Sequence, residues 1–263
     1  SRNDLLQDNI NNKTTRSCLM NIGYACINMQ LSYPQQYGGQ ERGVLPITTG
    51  RSMIRRTFDS RGVSYASEKT LDNCKDLERI VSWNILNDYH FFRITSNLAP
   101  WKSEYDWDDM PDIEQIRKHL HSTGVMSKTH NLRLTSHPGP FNVLTSPHPH
   151  VVTNCVRDLT DHGDVFDMIG LSRTPYNKIN IHIGGAYGDK ESAMKRFCEN
   201  FELLPDSVKS RLTVENDDRA SMYSVKDLYY GVYKRIGIPI VFDYHHHKFC
   251  SGDMSEQEAL EMA

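Results

Sequence analysis

Apolar residues follow two alternating patterns along this chain: short dense runs, and longer segments in which they recur every three or four positions. The clearest long segment runs from Leu71 through Leu77 to Ile85, where the apolar positions fall on one face of a helix. The dense runs predict strands at 17–27, 91–95, 133–136, 178–183, 212–216 and 238–243. The long segments predict helices at 68–88, 113–123, 151–166, 190–203, 224–236 and 255–262.

Polar and small residues mark the ends of several of these elements. Ser67 and Ser224 are predicted N-caps, because a serine hydroxyl accepts a hydrogen bond from a free backbone amide at a helix start. Gly237 precedes the last strand and is typical of a helix C-terminus. The segment 32–67 contains glycine, proline and arginine without a regular period. It is predicted to be a long loop, and loops of that length usually have a function.

The order of these elements indicates the fold class. Six successive strand–helix units predict a parallel sheet, either an open doubly wound sheet or a closed eight-stranded barrel. The segment Gly23-Tyr24-Ala25-Cys26 is not the G-x-G-x-x-G loop that binds dinucleotides. We therefore expect an α/β fold of the TIM-type β/α barrel class, with a polar N-terminal extension at 1–16 and one barrel domain at 17–263.

The composition excludes several other classes of protein. A charged fraction of 24% with a hydrophobic fraction of 38% is that of a globular domain. No apolar run approaches the ~18 residues of a membrane helix, and the first residues are polar, unlike a signal peptide. The six cysteines form no C-x-x-C pair, which indicates reduced thiols. We expect an intracellular protein of the nucleus or cytoplasm, not secreted and not bound to a membrane.

Charge alone leaves nucleic-acid binding open, because the formal net charge is −3. Basic residues nevertheless cluster in and after the predicted long loop, at Arg51, Arg55, Arg56, Arg61 and Lys69. This cluster is a candidate contact surface for a phosphate backbone. The alternative interpretation is an ordinary solvated charged face.

Histidines and carboxylates stand at or near the ends of four predicted strands. They are His137 in the third unit, His182 in the fourth, Glu215 in the fifth and Asp243 in the sixth, with histidines at 245–247 just beyond. The C-terminal ends of barrel strands meet on one face, where catalysis resides. Imidazole and carboxylate suit zinc, manganese or iron, and a carboxylate can bridge two ions. The pattern predicts a divalent-metal site, although each residue taken singly fits an ordinary polar network or turn.

Two loops beside these strand ends have compositions that fit ligand contact. The turn at 136–141 is stiffened by prolines and places His137 and Phe141 at the same edge. The glycine-rich segment 184–188 allows close backbone approach, and its amides could contact a phosphate. Tyr24 and Asn28, after the first strand, offer a stacking face and a hydrogen-bonding amide.

Several of these segments resemble UV damage endonucleases and occur in the order found in that family, from about residue 17 to the end of the chain. The matching segments are Gly23-Tyr24-Ala25-Cys26-Ile27-Asn28, Phe92-Arg93-Ile94 with Asn97-Leu98, Ser136-His137-Pro138-Gly139, the run 182–190, Val214-Glu215-Asn216-Asp217-Asp218 and Asp243-Tyr244-His245-His246. Together they form a specific set, although no single one of them is diagnostic.

The resemblance implies a barrel related to endonuclease IV that nicks double-stranded DNA on the 5′ side of UV photoproducts and some other lesions. It implies two or three divalent ions, commonly Mn²⁺, with Zn²⁺ or Mg²⁺ as other options. By motif position, His137 and His182 are similar to ligands of one ion, Glu215 to a bridging carboxylate, and Asp243 and His246 to ligands of a neighbouring ion. The catalytic assignments that follow are Glu215, His137 and His182. The candidate DNA contacts are Tyr24, Asn28, Phe141, Pro140, Arg51, Arg55, Tyr187 and Lys190.

Two features depart from the family pattern. Pro140 stands where members usually have a glutamine that the family inserts beside the lesion, so an apolar wedge from Phe141 is the expected substitute. The six predicted strands also lack the family's last two, which contribute a metal-binding lysine, histidine and glutamate. A barrel that is incomplete at its C-terminus is therefore expected within these residues.

Two other functions remain open at this point. A sugar isomerase-like barrel also places histidine and carboxylate at strand ends, and it would have a closed pocket for an aldose. A lesion-binding protein with impaired cleavage would fit Pro140 and the absent strands, and it would bind damaged DNA in a salt-sensitive way without nicking it. In the endonuclease interpretation the partner is damaged DNA and the protein is expected to be a monomer.

Overall fold

A computed structural model describes residues 21–39 and 43–263 of the chain. Within them lies one six-stranded sheet in which every strand is parallel to its neighbours and the spatial order equals the chain order. The strands are β1 Gly23–Ala25, β2 Phe91–Ile94, β3 Arg133–Ser136, β4 Ile179–Ile181, β5 Leu212–Glu215 and β6 Ile240–Val241. This order, with helices between the strands, is that of a TIM-type β/α barrel, as predicted.

The helices alternate with the strands and cover the sheet. They are α1 Met29–Ser32, α2 Arg55–Leu86, α3 Ile113–Thr129, α4 Pro149–Ile169, α5 Lys190–Phe201, α6 Asp206–Lys209, α7 Val225–Leu228, α8 Lys234–Ile236, α9 Tyr244–His247 and α10 Glu256–Met262. Short 3₁₀ turns occur at Lys102–Glu104, Trp107–Asp109 and Pro175–Asn177, and a π-helical turn at Tyr229–Tyr233 joins α7 to α8. Among the described residues, none of these helices has the length and apolar character needed to cross a bilayer.

The predicted strands are confirmed in number and position: β3 has its predicted bounds, and the bounds of β2, β4, β5 and β6 differ by only one or two residues. The exception is β1, which was predicted at 17–27 but occupies only Gly23–Ala25. Positions 17–20, and the predicted extension at 1–16, lie outside the described residues. β4 and β5 are buried at every position, because they lie in the middle of the sheet with helices over them.

The prediction of one long loop at 32–67 is wrong in its second half. Helix α2 begins at Arg55 and is interrupted at Gly62, whose φ of 66° lies outside the helical region. Phe58 anchors this first segment because its buried ring stacks on Trp101 at 5.9 Å between ring centroids. Tertiary packing of one aromatic ring therefore supports a helix that the sparse apolar pattern did not indicate.

The predicted N-cap at Ser67 is also wrong, whereas the cap at Ser224 is confirmed. Ser67 lies inside α2 and is fully buried, and its hydroxyl accepts a hydrogen bond from the backbone amide of Asp112 at 3.0 Å. Ser67 therefore supports the start of the next helix, α3, rather than its own. Ser224 forms a capping box with Asp227, and Gly237 ends α8 with a φ of 71°.

Candidate metal centre

Side chains from four neighbouring strand ends meet at one place on the C-terminal face of the sheet. His137 follows β3, His182 follows β4, Glu215 ends β5 and Asp243 follows β6. His246 comes from α9, the short helix that starts directly after Asp243. The five residues include every ligand predicted from the sequence, and parallel strands bring them together because their C-terminal ends share one edge.

Glu215 is the centre of this group and is 7% exposed. One carboxylate oxygen, Oε2, lies 3.5 Å from His137 Nε2. The other, Oε1, lies 3.8 Å from His182 Nε2 and 3.4 Å from His246 Nδ1. Potential ligand atoms within 4.8 Å of one another form two sets, His137–His182–Glu215 and Glu215–Asp243–His246. Glu215 belongs to both sets and is therefore placed as a bridging carboxylate would be.

The three imidazole rings are tilted against one another by 42° to 50°, but they have one feature in common. Their Nδ1 atoms face protein oxygen atoms: the carbonyl of Pro138 at 3.1 Å from His137, the carbonyl of Asn216 at 2.9 Å from His246, and Asp217 Oδ1 at 3.3 Å from His182. The last contact is not aligned for a hydrogen bond, so His182 Nδ1 is buried without a partner among the described residues. With Nδ1 as the protonated nitrogen, each Nε2 keeps its lone pair for another group, which is the arrangement of metal-ligating histidines.

Local charges hold the central carboxylate in its ionised form. Burial by itself would raise the pKa of Glu215, but the hydrogen bond and charge of His137, with the charges of His182 and His246, hold that pKa below its ordinary range. For His182, burial favours the neutral ring, but Asp217 and Glu215 outweigh it, so the pKa is raised above its ordinary value. The ionised carboxylate of Glu215 attracts cations, which would bind in place of the imidazole protons.

Buried side chains of β4 and β5 hold the Glu215 carboxylate in one orientation. The side-chain amide of Asn180 donates a hydrogen bond to Glu215 Oε2, and the hydroxyl of Thr213 donates to Asn180 Oδ1 at 2.7 Å. Asn180 and Asp217 were not singled out from the sequence. Asn180 lies two residues before His182 and so on the same side of the strand, a spacing that could have identified it.

A cavity of about 650 Å³ opens beside these residues. His137, His182, His246, Arg93 and Cys26 are among the residues that line it. Arg93 was quoted in a family motif but was not assigned a role from the sequence. Side chains alternate between the two faces of a strand, so the position of Arg93 in the predicted strand 91–95 could have placed it on the inner face.

The predicted DNA contacts occupy different environments. Pro140 lines this cavity, and Phe141, the next residue along the chain, is 88% exposed. Asn28 is buried, where its amide donates to the Tyr24 hydroxyl at 2.7 Å and its oxygen caps α1. The Tyr24 hydroxyl donates in turn to Asn84. The polar groups of Tyr24 and Asn28 are thus used within the protein.

The basic and glycine-rich candidates are mostly paired. Arg51 contacts Asp76 at 2.6 Å, Arg55 contacts Asp59 at 2.7 Å, and Lys190 contacts Asp227 at 3.0 Å. Tyr187 is half exposed, with the Arg196 guanidinium 5.7 Å from its ring centre. Of the three histidines at 245–247, His246 faces the site, His245 is exposed and His247 is buried elsewhere.

The chain is similar to known proteins of one kind. A model of the family described as UV-endonuclease UvdE matches residues 20–263. A UV DNA damage endonuclease of Bacillus thuringiensis subsp. konkukian is 38% identical over 180 residues, which cover 68% of this chain and 54% of that protein. A UV DNA damage endonuclease of Bacillus mycoides is 36% identical over 191 residues, covering 71% and 58%. The chain thus spans little more than half the length of these relatives.

Two solved structures share the fold. The crystal structure of SacUVDE superimposes with a TM-score of 0.76 at 29% identity, covering 92% of this chain and 75% of that one. D-psicose 3-epimerase from Clostridium cellulolyticum H10 superimposes with a TM-score of 0.53 at 14% identity, covering 71% and 64%. The second likeness concerns the fold alone.

Proposed function

The chain belongs to the UV-endonuclease UvdE family, and from that premise we propose that it is a metal-dependent DNA repair endonuclease that nicks the phosphodiester on the 5′ side of UV photoproducts. The observation that carries this proposal is the position of Glu215, which lies between three imidazoles and belongs to both sets of potential ligands. The relatives named UV DNA damage endonuclease support the same substrate class.

The donor set fits divalent cations. The distances from Nε2 to the facing carboxylate oxygens, 3.5 Å for His137, 3.8 Å for His182 and 3.9 Å from His246 to Asp243, exceed a normal hydrogen bond. They are close to the spacing of two ligands that each lie about 2.1 Å from a common ion. Nitrogen and carboxylate donors suit Mn²⁺ and Zn²⁺ better than Mg²⁺, which prefers oxygen. Two ions that share Glu215 are therefore proposed, with Mn²⁺ as the first choice.

Each candidate ligand, and Asn180 beside them, would have a specific role in holding the cations. Bound cations neutralise a phosphodiester and lower the pKa of water, which makes hydrolysis feasible near neutral pH. His137 and His182, with Glu215, would hold one cation, and Glu215, Asp243 and His246 the other. Asn180 keeps the Glu215 carboxylate in one orientation, and this matters because a misplaced ligand costs both affinity and rate.

Recognition of the lesion is assigned to the turn at 136–141, part of which lines the cavity. Phe141, four residues after His137 in the chain, presents an almost fully exposed ring, and apolar side chains of DNA-binding proteins can unstack DNA by insertion. A damaged step costs less to unstack than an intact one, which gives selectivity. Tyr24, Asn28, Pro140, Arg51, Arg55, Tyr187 and Lys190 remain predicted contacts.

A nicking assay tests the activity. The substrate is a duplex that contains one cyclobutane pyrimidine dimer and an end label, and the protein is first stripped with EDTA. Nicking 5′ to the dimer is expected only after Mn²⁺ or another divalent ion is returned, and Glu215→Gln should reduce it at least about 100-fold. The matched control is Glu202→Gln, since Glu202 is 67% exposed and its ion pair in the described part of the chain is with Lys209 on the surface. Equal nicking by wild type and Glu215→Gln would exclude the proposed role.

A lesion-binding protein with impaired cleavage is the second candidate, because Pro140 replaces the expected glutamine. It predicts salt-sensitive binding to damaged DNA without nicks at any metal concentration. The sugar isomerase-like alternative has only the fold likeness at 14% identity to support it.

The relatives named above are bacterial, so nothing in them favours a nuclear location. The monomeric state stays a prediction.

A further inference from the structure

Arg93 projects from β2 into the cavity that the three site histidines border. In the sheet register Arg93 lies opposite Ala25 on β1 and Thr135 on β3, and Thr135 is two residues before His137. Arg93 therefore lies one side-chain level below the ring of candidate ligands and on the same face of the sheet, since side chains alternate along a strand. A long side chain at that level reaches toward the ligands.

Arg93 has no partner among residues 21–39 and 43–263. No carboxylate lies within 4.0 Å of it and its guanidinium makes no hydrogen bond there, while its Nε atom is buried without a partner. The other arginines withdrawn from solvent in the same ranges are all bonded; examples are Arg51 to Asp76 and Arg211 to Asp167, at 2.6 Å and 2.8 Å. An arginine keeps its charge in proteins, so a partly buried guanidinium without an acceptor is costly.

The missing acceptor must be an anion that fits the cavity. A guanidinium has five N–H donors in a planar fork whose geometry matches phosphate and carboxylate oxygens. Cations held by the neighbouring histidines and Glu215 would bring a phosphodiester to this place, and its non-bridging oxygen atoms would then face the cavity wall that contains Arg93. Arg51, Arg55 and Lys190 are less suited to that task, because each already pairs with a carboxylate.

We propose that Arg93 binds a non-bridging phosphate oxygen of the DNA strand that enters the cavity. The inference rests on the proposed function, since it names a contact for that same substrate. Such a contact carries no sequence or lesion information and acts as backbone positioning. Its loss should therefore weaken binding to damaged and undamaged duplex by the same factor, whereas loss of a lesion-probing side chain would change their ratio.

Binding of Mn²⁺-loaded protein to damaged duplex that already carries the nick, and to intact duplex, tests this step, because neither duplex is then cleaved during the titration. Wild type, Arg93→Gln and Arg173→Gln are titrated with damaged and intact duplex over a range of salt concentrations. Arg173 is the control because it lies in the loop before β4, at the opposite end of the strands, where it pairs with Asp167 of α4. In Arg93→Gln the slope of log Kobs against log salt should fall by about 0.9, with an unchanged ratio between the two duplexes. Arg173→Gln should keep the wild-type slope.

The rate of cleavage by the metal-loaded protein gives a second readout. Arg93→Gln should lose roughly 10- to 100-fold in kcat/KM on the dimer-containing duplex, as expected for a hydrogen bond between charged groups. If Arg93→Gln does not fold, Arg93→Lys replaces it in the cleavage assay, since lysine keeps the charge, and with it the salt slope, but not the fork, and a loss of about 10-fold in kcat/KM is then expected. A wild-type salt slope together with wild-type kcat/KM in the folded variant overturns the proposal. Absence of nicking in the wild type would instead contradict the proposed function.

Discussion

The side chain of Asn216 pairs with the backbone of Asp243 through two hydrogen bonds. Its Nδ2 donates to the Asp243 carbonyl at 3.0 Å, and its Oδ1 accepts from the Asp243 amide at 2.8 Å. The carbonyl of Asn216 itself contacts His246 Nδ1 at 2.9 Å. One fully buried residue on the end of β5 therefore orients both candidate ligands that follow β6.

Replacement of Asn216 by alanine should loosen Asp243 and His246 without removing either. We expect Mn²⁺ affinity to fall roughly 10- to 100-fold, the usual effect of losing a residue that orients a ligand. Calorimetric titration of EDTA-stripped protein measures this. Asn87→Ala is the control, because Asn87 is exposed directly after α2 and its side-chain amide donates to the carbonyl of Trp83 in the last turn of that helix. Unchanged affinity in Asn216→Ala would show that the pair does not support the ligands.

Phe141→Ala should weaken binding to the lesion while leaving the thermal stability of the fold unchanged. The ring is 88% exposed, so its removal should leave the Tm within about 1 °C of wild type. If the ring stacks on or wedges between bases, affinity for dimer-containing duplex should fall about 5- to 150-fold. Binding titrations and thermal melts of the same samples check both parts. Tyr230→Ala, an exposed aromatic on the π-helical turn, should change neither; equal binding by Phe141→Ala would exclude the wedge.

Gly124 marks the close approach of α3 and α4. A Cβ placed on Gly124 would lie 1.7 Å from the carbonyl oxygen of Ile169, which is backbone and cannot rotate away. In an open helix, glycine to alanine would stabilise by about 1 kcal/mol. Here overpacking of about 1–3 kcal/mol or more should dominate, and it should lower the Tm by several degrees. Val125→Ala, at an exposed position of the same helix, is the control for thermal melts. A Tm at or above wild type in Gly124→Ala would contradict this packing.

Ionisation of Asp167 should make the thermal stability of the fold depend on pH in the acidic range. Burial opposes its ionisation, but hydrogen bonds from Arg173 and Arg211 hold its pKa below the ordinary value. A carboxyl whose pKa is lower in the folded than in the unfolded protein stabilises the fold above the unfolded value, about 3.9 for aspartate, and loses that contribution as pH falls through the folded pKa. The Tm of wild type should therefore decline below pH ~4.

Asp167→Asn should flatten that decline and lower the Tm at neutral pH, because Arg211 is fully buried and would lose its carboxylate partner. Thermal melts from pH ~7 to ~2.5 measure both effects. Asp108→Asn is the matched control, since Asp108 is 85% exposed and its surface pair with Arg117 should contribute little. Parallel pH profiles for wild type and Asp167→Asn would refute the assignment.

Much of this architecture could be predicted from the order of apolar runs. β2 to β6 and the helices between them follow from dense runs that alternate with helical spacing, because a buried parallel strand is apolar on both faces and an amphipathic helix is apolar on one. The long loop at 32–67 shows where that reasoning stops. Helix α2 begins at Arg55 because Phe58 packs on Trp101, 43 positions away, and no local period records such a contact.

The sequence by itself determined which residue types stand at the ends of the strands, and through them the candidate ligands His137, His182, Glu215, Asp243 and His246. This was possible because chain order and spatial order coincide in a parallel sheet of this class. Only the tertiary structure decided that Glu215 joins two sets of donors, that Asn180 and Asn216 orient them, and that Arg93, unlike Arg51 and Arg55, has no partner among the described residues. Those outcomes depend on distances between side chains from different units, and a linear pattern contains no such distances.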